Sequence, residues 1–239
     1  MNLYLIPHVM AILTFLAINT CFIMAASNGH IPWCFPYIEG CVSISKASRN
    51  VPELQIYRFA IMLSAILMVS YWTLCGNWIK QLYQELVSPG GQATGNKRRR
   101  IFVTVGIVAS ICLAVNAALI GNQDEFYKEL RQVCVTTFFF GAILAQCIFA
   151  FEIKRFVIQN NLYQLNKMSN FKITLCIMQV LLAILAIGIA PFVSQKPYIE
   201  NIAEWNIVLL MVAFFVSTGI CWKQTHFQKT ATNIPSAPS

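Results

Sequence analysis

LYLIPHVMAILTFLAINTCFIMAA, from Leu3 to Ala26, holds no charged side chain and only scattered polar ones at Pro7, His8, Thr14, Asn19 and Thr20. At about 1.5 Å per residue, a helix of this length covers the ~30 Å hydrocarbon core of a bilayer. A secretory leader would need a basic start and a shorter apolar core. The chain has no Lys or Arg before Lys46. The run therefore reads as a spanning helix, with cleavage near Ala25-Ala26-Ser27 as the lesser alternative. Five further runs of the same kind follow, at about 54–79, 101–120, 133–151, 173–193 and 205–222. None alternates with the period of two that a membrane strand would need. Hydrophobic residues make up 57% of the 239, and charged ones 11%. Soluble domains carry about 25% charge, so an ordinary soluble enzyme is excluded. The expectation is an all-α polytopic membrane protein. Residues 1–222 form six helices in one bundle, 27–53 an ordered outer loop, and 223–239 a loose Pro/Ser/Ala-rich tail.

The charges orient this bundle. The chain has 17 Lys and Arg against 9 Asp and Glu, a net of +8. Segments 77–100 and 152–172 are strongly basic, and Lys223 and Lys229 add to the tail. Segments 27–53, 121–131 and 194–204 are neutral or weakly acidic. Every basic segment falls on one side of the alternation. The positive-inside rule then places both termini in the cytoplasm, and it accounts for the basic balance without nucleic acid. The run Lys97, Arg98, Arg99 and Arg100 reads first as a topology determinant. It is also a candidate contact for anionic lipid, each charge contributing about 1 kcal/mol near the surface. From Trp78, the apolar residues Trp78, Ile79, Leu82, Tyr83, Leu86 and Val87 share one helical stripe. The second helix should continue that far, either along the bilayer surface or against its neighbours, and end near Ser88-Pro89-Gly90-Gly91.

Of nine cysteines, only Cys34 and Cys41 lie in the outer loop, on the side where a disulfide persists. A bridge between them is the favoured reading, and the others read as small apolar fillers. A merely solvated loop would not need Trp33, Phe35, Tyr37 and Ile38, so this segment should fold back as a lid, with Ser43 or Ser45 capping a short helix. Polar groups inside spans are costly and mark either structure or function. Arg58 lies about one helical turn into the second span, and Glu204 opens the sixth on the same outward side. They pair or snorkel independently, with Asn206 and Glu53 nearby. Asn19, Asn116, Gln146 and Gln179 either bond across helices or line a headgroup cavity.

The histidines His8, His30 and His226 are too dispersed for a metal site. No Gly-x-Ser-x-Gly, Walker or His-Glu-x-x-His sequence occurs, and no cofactor is implied. The spans look largely unbroken, with Gly106, Gly188 with Pro191, and Gly219 as the only irregular points, which weakens a transporter. What remains is a non-enzymatic protein that binds lipid or regulates a membrane-protein partner. A lipid would enter between the spans, its headgroup near Arg58, Glu204, Asn206, Glu53 and the lid residues Tyr37 and Glu39. The alternatives are a lipid-remodelling enzyme, or a cofactor of one, and a small-molecule transporter.

Several short motifs are shared with a known family. Pro36-Tyr37-Ile38-Glu39-Gly40 and Pro52-Glu53 lie in the first outer loop, with Ser43-Ile44-Ser45 between them. Gly121-Asn122-Gln123 follows the third span, Phe138-Phe139-Phe140-Gly141 lies in the fourth, and Ala203-Glu204-Trp205 opens the last. Together they resemble the Frag1/DRAM/Sfk1 family of six-span membrane proteins, nearest to its DRAM-like branch. The chain departs from that branch after Pro-Tyr-Ile, where it has Glu-Gly-Cys-Val. The resemblance implies a role in lipid organisation, lipid-anchor remodelling, or autophagy and lysosomes. It leaves an endomembrane or lysosomal location and the plasma membrane both open.

Overall fold

The apolar run Leu5–Ser27 forms α1. Two short helices follow, α2 (Pro36–Glu39) and α3 (Ile44–Ala47), before the long α4 (Glu53–Leu86), α5 (Pro89–Leu119) and α6 (Glu125–Gln159). Helix α7 (Tyr163–Ile184) runs into a π-helical turn at Leu185–Ile189, and α8 (Lys196–Gln224) ends the bundle. The structure, a computed structural model, describes residues 2–86, 89–122, 124–160, 163–189, 192, 196–225 and 227, with the backbone alone at 84–86, 89–96, 163, 164 and 189. Residues 228–239 of the expected loose tail lie outside the described residues, as do Val87, Ser88, Gln123 and Pro191.

Six of these helices are long and apolar enough to cross a membrane. In lipid each backbone N–H and C=O must be satisfied within its own segment, which is why such runs become helices. Three helices extend well beyond their apolar runs. Helix α4 continues to Leu86, α6 spans Glu125–Gln159, and α8 begins at Lys196. Hydropathy marks only the part of a helix that lies in hydrocarbon. The flanking turns carry Lys, Glu and Tyr, which belong at the interface.

Consecutive long helices pack against one another around the bundle, and α8 closes it by packing on α1. Aromatic rings fill the centre. Tyr71 meets Trp72, Phe215 and Trp222 at 5.0, 5.1 and 5.9 Å between ring centroids, and Phe149 meets Phe102 at 5.2 Å. Gly106 of α5 lies against the Trp72 indole, where a Cβ would collide with the ring. Without water to drive them together, helices in lipid associate by such packing and by hydrogen bonds. At one end of the bundle, called here the loop end, lie residues 28–52 and the α5–α6 connection.

Two readings of the sequence need correction. Lys172, counted among the basic charges of a connecting segment, is wholly buried in α7. Its ammonium donates to Ser217 Oγ at 2.9 Å, Thr218 Oγ1 at 2.6 Å and the Phe214 carbonyl at 3.4 Å. It also stands 4.0 Å from the Phe214 ring centroid, a cation–π contact. Secondly, the fifth span is not unbroken, since the turn at Leu185–Ile189, which contains Gly188, winds as a π-helix. Of the two courses open to the stripe after Trp78, the structure takes packing against neighbouring helices. Trp78, Ile79, Leu82 and Tyr83 are buried in the bundle, with Trp78 Nε1 on Thr225 Oγ1 at 3.1 Å. The Tyr83 hydroxyl donates to Glu152, which Arg98 also reaches at 3.3 Å.

Candidate functional site

The loop end is built around the Pro36–Gly40 element. Pro36 opens α2, and Gly40 closes it in the left-handed region at φ +60°. A Cβ at Gly40 would strike the Tyr198 carbonyl of α8, so only glycine fits this close approach. Asn201 Nδ2 donates to the Gly40 carbonyl at 2.7 Å, Asn206 Nδ2 to the Tyr37 carbonyl at 2.8 Å, and Trp205 Nε1 to the Val42 carbonyl at 2.9 Å. The Tyr37 ring lies 5.2 Å from that of Trp205, and its hydroxyl bonds the Asn19 amide at 3.1 Å. Burial pushes the Tyr37 phenol above its ordinary value, against a smaller lowering by Asn19. Cys34 and Cys41 form a disulfide, with Cα atoms 6.6 Å apart. Ser43 caps α3 by accepting from the Lys46 N–H at 3.2 Å. The loop is thereby fastened to α1 and α8, while Trp33, Phe35 and Ile38 remain exposed, as suits side chains at a bilayer interface.

The polar residues picked out in the sequence divide into separate groups. Arg58 and Glu204 do not pair with each other. Arg58 Nη2 donates to the Ile120 carbonyl at the end of α5, satisfying an acceptor that the helix terminus leaves open. Glu53, buried at the start of α4, accepts from Asn28 Nδ2 at 2.8 Å and lies 3.3 Å from His30 Nδ1. Asn206 and Tyr37 belong to the loop anchor described above. Glu39 is exposed and, among the described residues, makes no ion pair. In mid-bundle, Gln179 Nε2 donates to Gln146 Oε1 at 2.8 Å.

Glu204 and Asn116 face a large cavity, and Glu204 is the charged member of the pair. It lines a chamber of about 870 Å³ at the loop end. Ser43, Ser45, Asn116, Arg131 and Asn201 contribute to the same walls. Helix α6 brings Glu125, Lys128, Glu129 and Arg131 to it, and α8 brings Glu200 and Glu204. Glu125 is paired with Lys128 at 2.7 Å, and Glu200 with Lys196 at 3.8 Å. Glu129, Arg131 and Glu204 have no ion-pair partner among the described residues.

An apolar cleft of about 930 Å³ lies along α5, α6 and α7, walled by Val105, Val108, Leu144, Cys147, Val180 and Ile184 among others. Chamber and cleft share Thr136, Phe140, Ile143, Ala183 and Ile187. The two spaces adjoin along these shared walls, the chamber polar at the loop end and the cleft apolar below. The π-helical turn supplies Ala186 to the chamber, Gly188 to the cleft and Ile187 to both. Helix α7 is the span least covered by protein, 22% buried over its apolar window, so the cleft opens sideways where lipid would be. Sequence reasoning missed Glu129 and Arg131. They appeared only as charges in a weakly acidic segment, and nothing local marks them as lining a cavity.

This architecture is that of a multi-pass integral membrane protein, an all-α bundle with a lateral cleft adjoining a polar chamber. The chain belongs to the Frag1/DRAM/Sfk1 family, since the model of the Frag1/DRAM/Sfk1/Cwh43P N-terminal domain matches residues 2–220. Comparisons with curated proteins and with solved structures give no match.

Proposed function

We propose that this protein is a non-enzymatic lipid-binding membrane protein that seats one lipid with its acyl chains in the cleft and its headgroup in the chamber, and so takes part in lipid organisation. The observation that carries this reading is that the two spaces adjoin, with Thr136, Phe140, Ile143, Ala183 and Ile187 as common walls. A polar substrate would have no use for an apolar cleft of this size, and a wholly apolar one would leave the chamber's carboxylates without a partner. Membership of a family of membrane proteins linked to lipid is consistent with it. The chamber takes the place of the lid-centred site read from the sequence. Glu204 belongs to it, Arg58 caps α5, Tyr37 and Asn206 anchor the loop, and Glu53 ties the loop to α4.

The same reading places the basic end of the bundle in the cytoplasm, because Lys97–Arg100, Lys154, Arg155 and Lys167 crowd the end opposite the loop. The chamber then opens to the lumen or the exterior. Arg98 is engaged by Glu152 at 3.3 Å, which leaves Lys97, Arg99 and Arg100 to meet anionic lipid at the inner leaflet.

Native mass spectrometry of protein extracted with its membrane lipids tests the lipid reading. Ala183→Trp fills the junction of cleft and chamber, whereas Leu181→Trp places the same indole on the exposed lipid-facing side of α7. One lipid per chain should persist in the unsubstituted protein and in Leu181→Trp, and disappear from Ala183→Trp. Equal retention in a folded Ala183→Trp variant would contradict the cleft.

A further inference from the structure

The lipid reading fixes where a headgroup would sit, and the charges around that place select its chemistry. Resting on that reading, we infer that the chamber takes a zwitterionic phospholipid, one whose headgroup carries a cationic nitrogen beyond its phosphate, as choline and ethanolamine headgroups do.

The walls are balanced in a particular way. Glu125 and Glu200 are neutralised by Lys128 and Lys196. Arg131, Glu129 and Glu204 are left, one cation and two carboxylates without an ion-pair partner among the described residues. Arg131 stands about one and a half helical turns from Thr136, the α6 residue where the cleft begins. A lipid with its chains in the cleft brings its phosphate to that level, where a guanidinium can bind it in bidentate fashion. Glu204 lies at the inner wall, beside Asn116 and Ser45, and also borders a small internal cavity of about 50 Å³. This carboxylate has no ion-pair partner among the described residues and keeps acceptor capacity for a ligand. A headgroup nitrogen, one arm's length beyond the phosphate, reaches that carboxylate. Phe139 borders both spaces at this wall, a suitable neighbour for an ammonium or quaternary nitrogen.

Other headgroups fit less well. Phosphatidic acid or a glycerol headgroup satisfies Arg131 but adds negative charge to a chamber that already has unpaired carboxylates, a repulsion strengthened by the low dielectric. A neutral diacylglycerol leaves all three charged groups without a counterpart. A zwitterion pairs phosphate with Arg131 and nitrogen with Glu204, and leaves Glu129 at the rim.

The test uses the full chain in micelles doped with equal amounts of four phospholipids that share the same acyl chains and bear choline, ethanolamine, glycerol or no headgroup alcohol. Native mass spectrometry should show the choline and ethanolamine lipids retained about tenfold or more over the other two. Glu204→Gln should abolish this preference, and Arg131→Gln should weaken all four. Because a variant can misfold, a second readout uses the unsubstituted protein. Cys147 lines the cleft, so its alkylation by an apolar maleimide, located by peptide mapping, should slow with choline lipid and be unaffected by the glycerol lipid. Equal or stronger retention of the anionic lipids, still lost in Ala183→Trp, would overturn the headgroup assignment while leaving the cleft standing. Failure to retain any of the four, with Cys147 alkylated at one rate throughout, would overturn both.

Discussion

Lys172 shows how much a single side chain can depart from its reading in the sequence. It follows Asn170-Phe171 and precedes an apolar run, so by hydropathy it belongs to a connecting segment. The structure instead turns it inward against α8. Which face of a helix a residue presents depends on the neighbouring helix, and hydropathy carries no information about that. Ser217 and Thr218 each also donate to the Phe214 carbonyl of their own helix, at 2.7 and 3.0 Å. Removing the amine therefore leaves no orphaned hydroxyl. Lys172→Met should change stability by only about 1 kcal/mol in either direction, because a buried charge replaced by an apolar chain of like volume is often neutral. Lys172→Glu should lower the melting temperature sharply, as a carboxylate cannot donate to those oxygens. Thermal unfolding in detergent distinguishes the two. Tyr37 gives a second test at this scale. Its raised phenol means that the stability it contributes is complete below the ordinary phenol range near 10 and is lost as pH climbs through the raised value. The stability difference between Tyr37→Phe and the unsubstituted protein should therefore be constant from about pH 5 to 8 and change only above about 10.

At the scale of elements, the loop was the more legible part. Its two cysteines argued for a bridge and Ser43 for a cap, and both are present; its aromatic content argued for an ordered lid. Its attachment was not legible, because the Gly40, Val42 and Tyr37 carbonyls find their donors on α8, more than 150 residues further along the chain. Cys34→Ser should lower stability by about 2–4 kcal/mol, the usual effect of losing a native bridge, and dithiothreitol should reproduce the shift in the unsubstituted protein. An unchanged melting temperature in both would show that α8 alone holds the loop. The π-helical turn was not foreseen either. Gly188 marked an irregular point, but glycine does not specify the type of irregularity. π-turns recur at functional sites, and this one supplies wall to both cleft and chamber. A Cβ at Gly188 meets only the Ile184 side chain, at 4.0 Å. Gly188→Ala raises helix propensity by about 1 kcal/mol, so it should not lower the melting temperature but should alter lipid retention if the turn shapes the site.

At the scale of the whole molecule, six spans were legible because lipid imposes one rule on every segment: satisfy the backbone internally and face outward with apolar side chains. The chamber was not legible because its walls come from the loop, α5, α6, α7 and α8, and no one segment has its pattern. Glu204 and Asn116 were noted beforehand for being polar in a span, and Ser43 and Ser45 as helix caps, but nothing joined them into one cavity. The central claim is that a lipid occupies the cleft with its chains, and a phospholipid carrying a diazirine in one acyl chain tests it most directly. After photolysis in bilayers, peptide mapping should place the adducts on cleft residues such as Val108, Phe140, Leu144 and Ile184. Adducts spread equally over Phe59, Phe151 and Leu181 on the outer surface, with no enrichment in the cleft, would contradict the account.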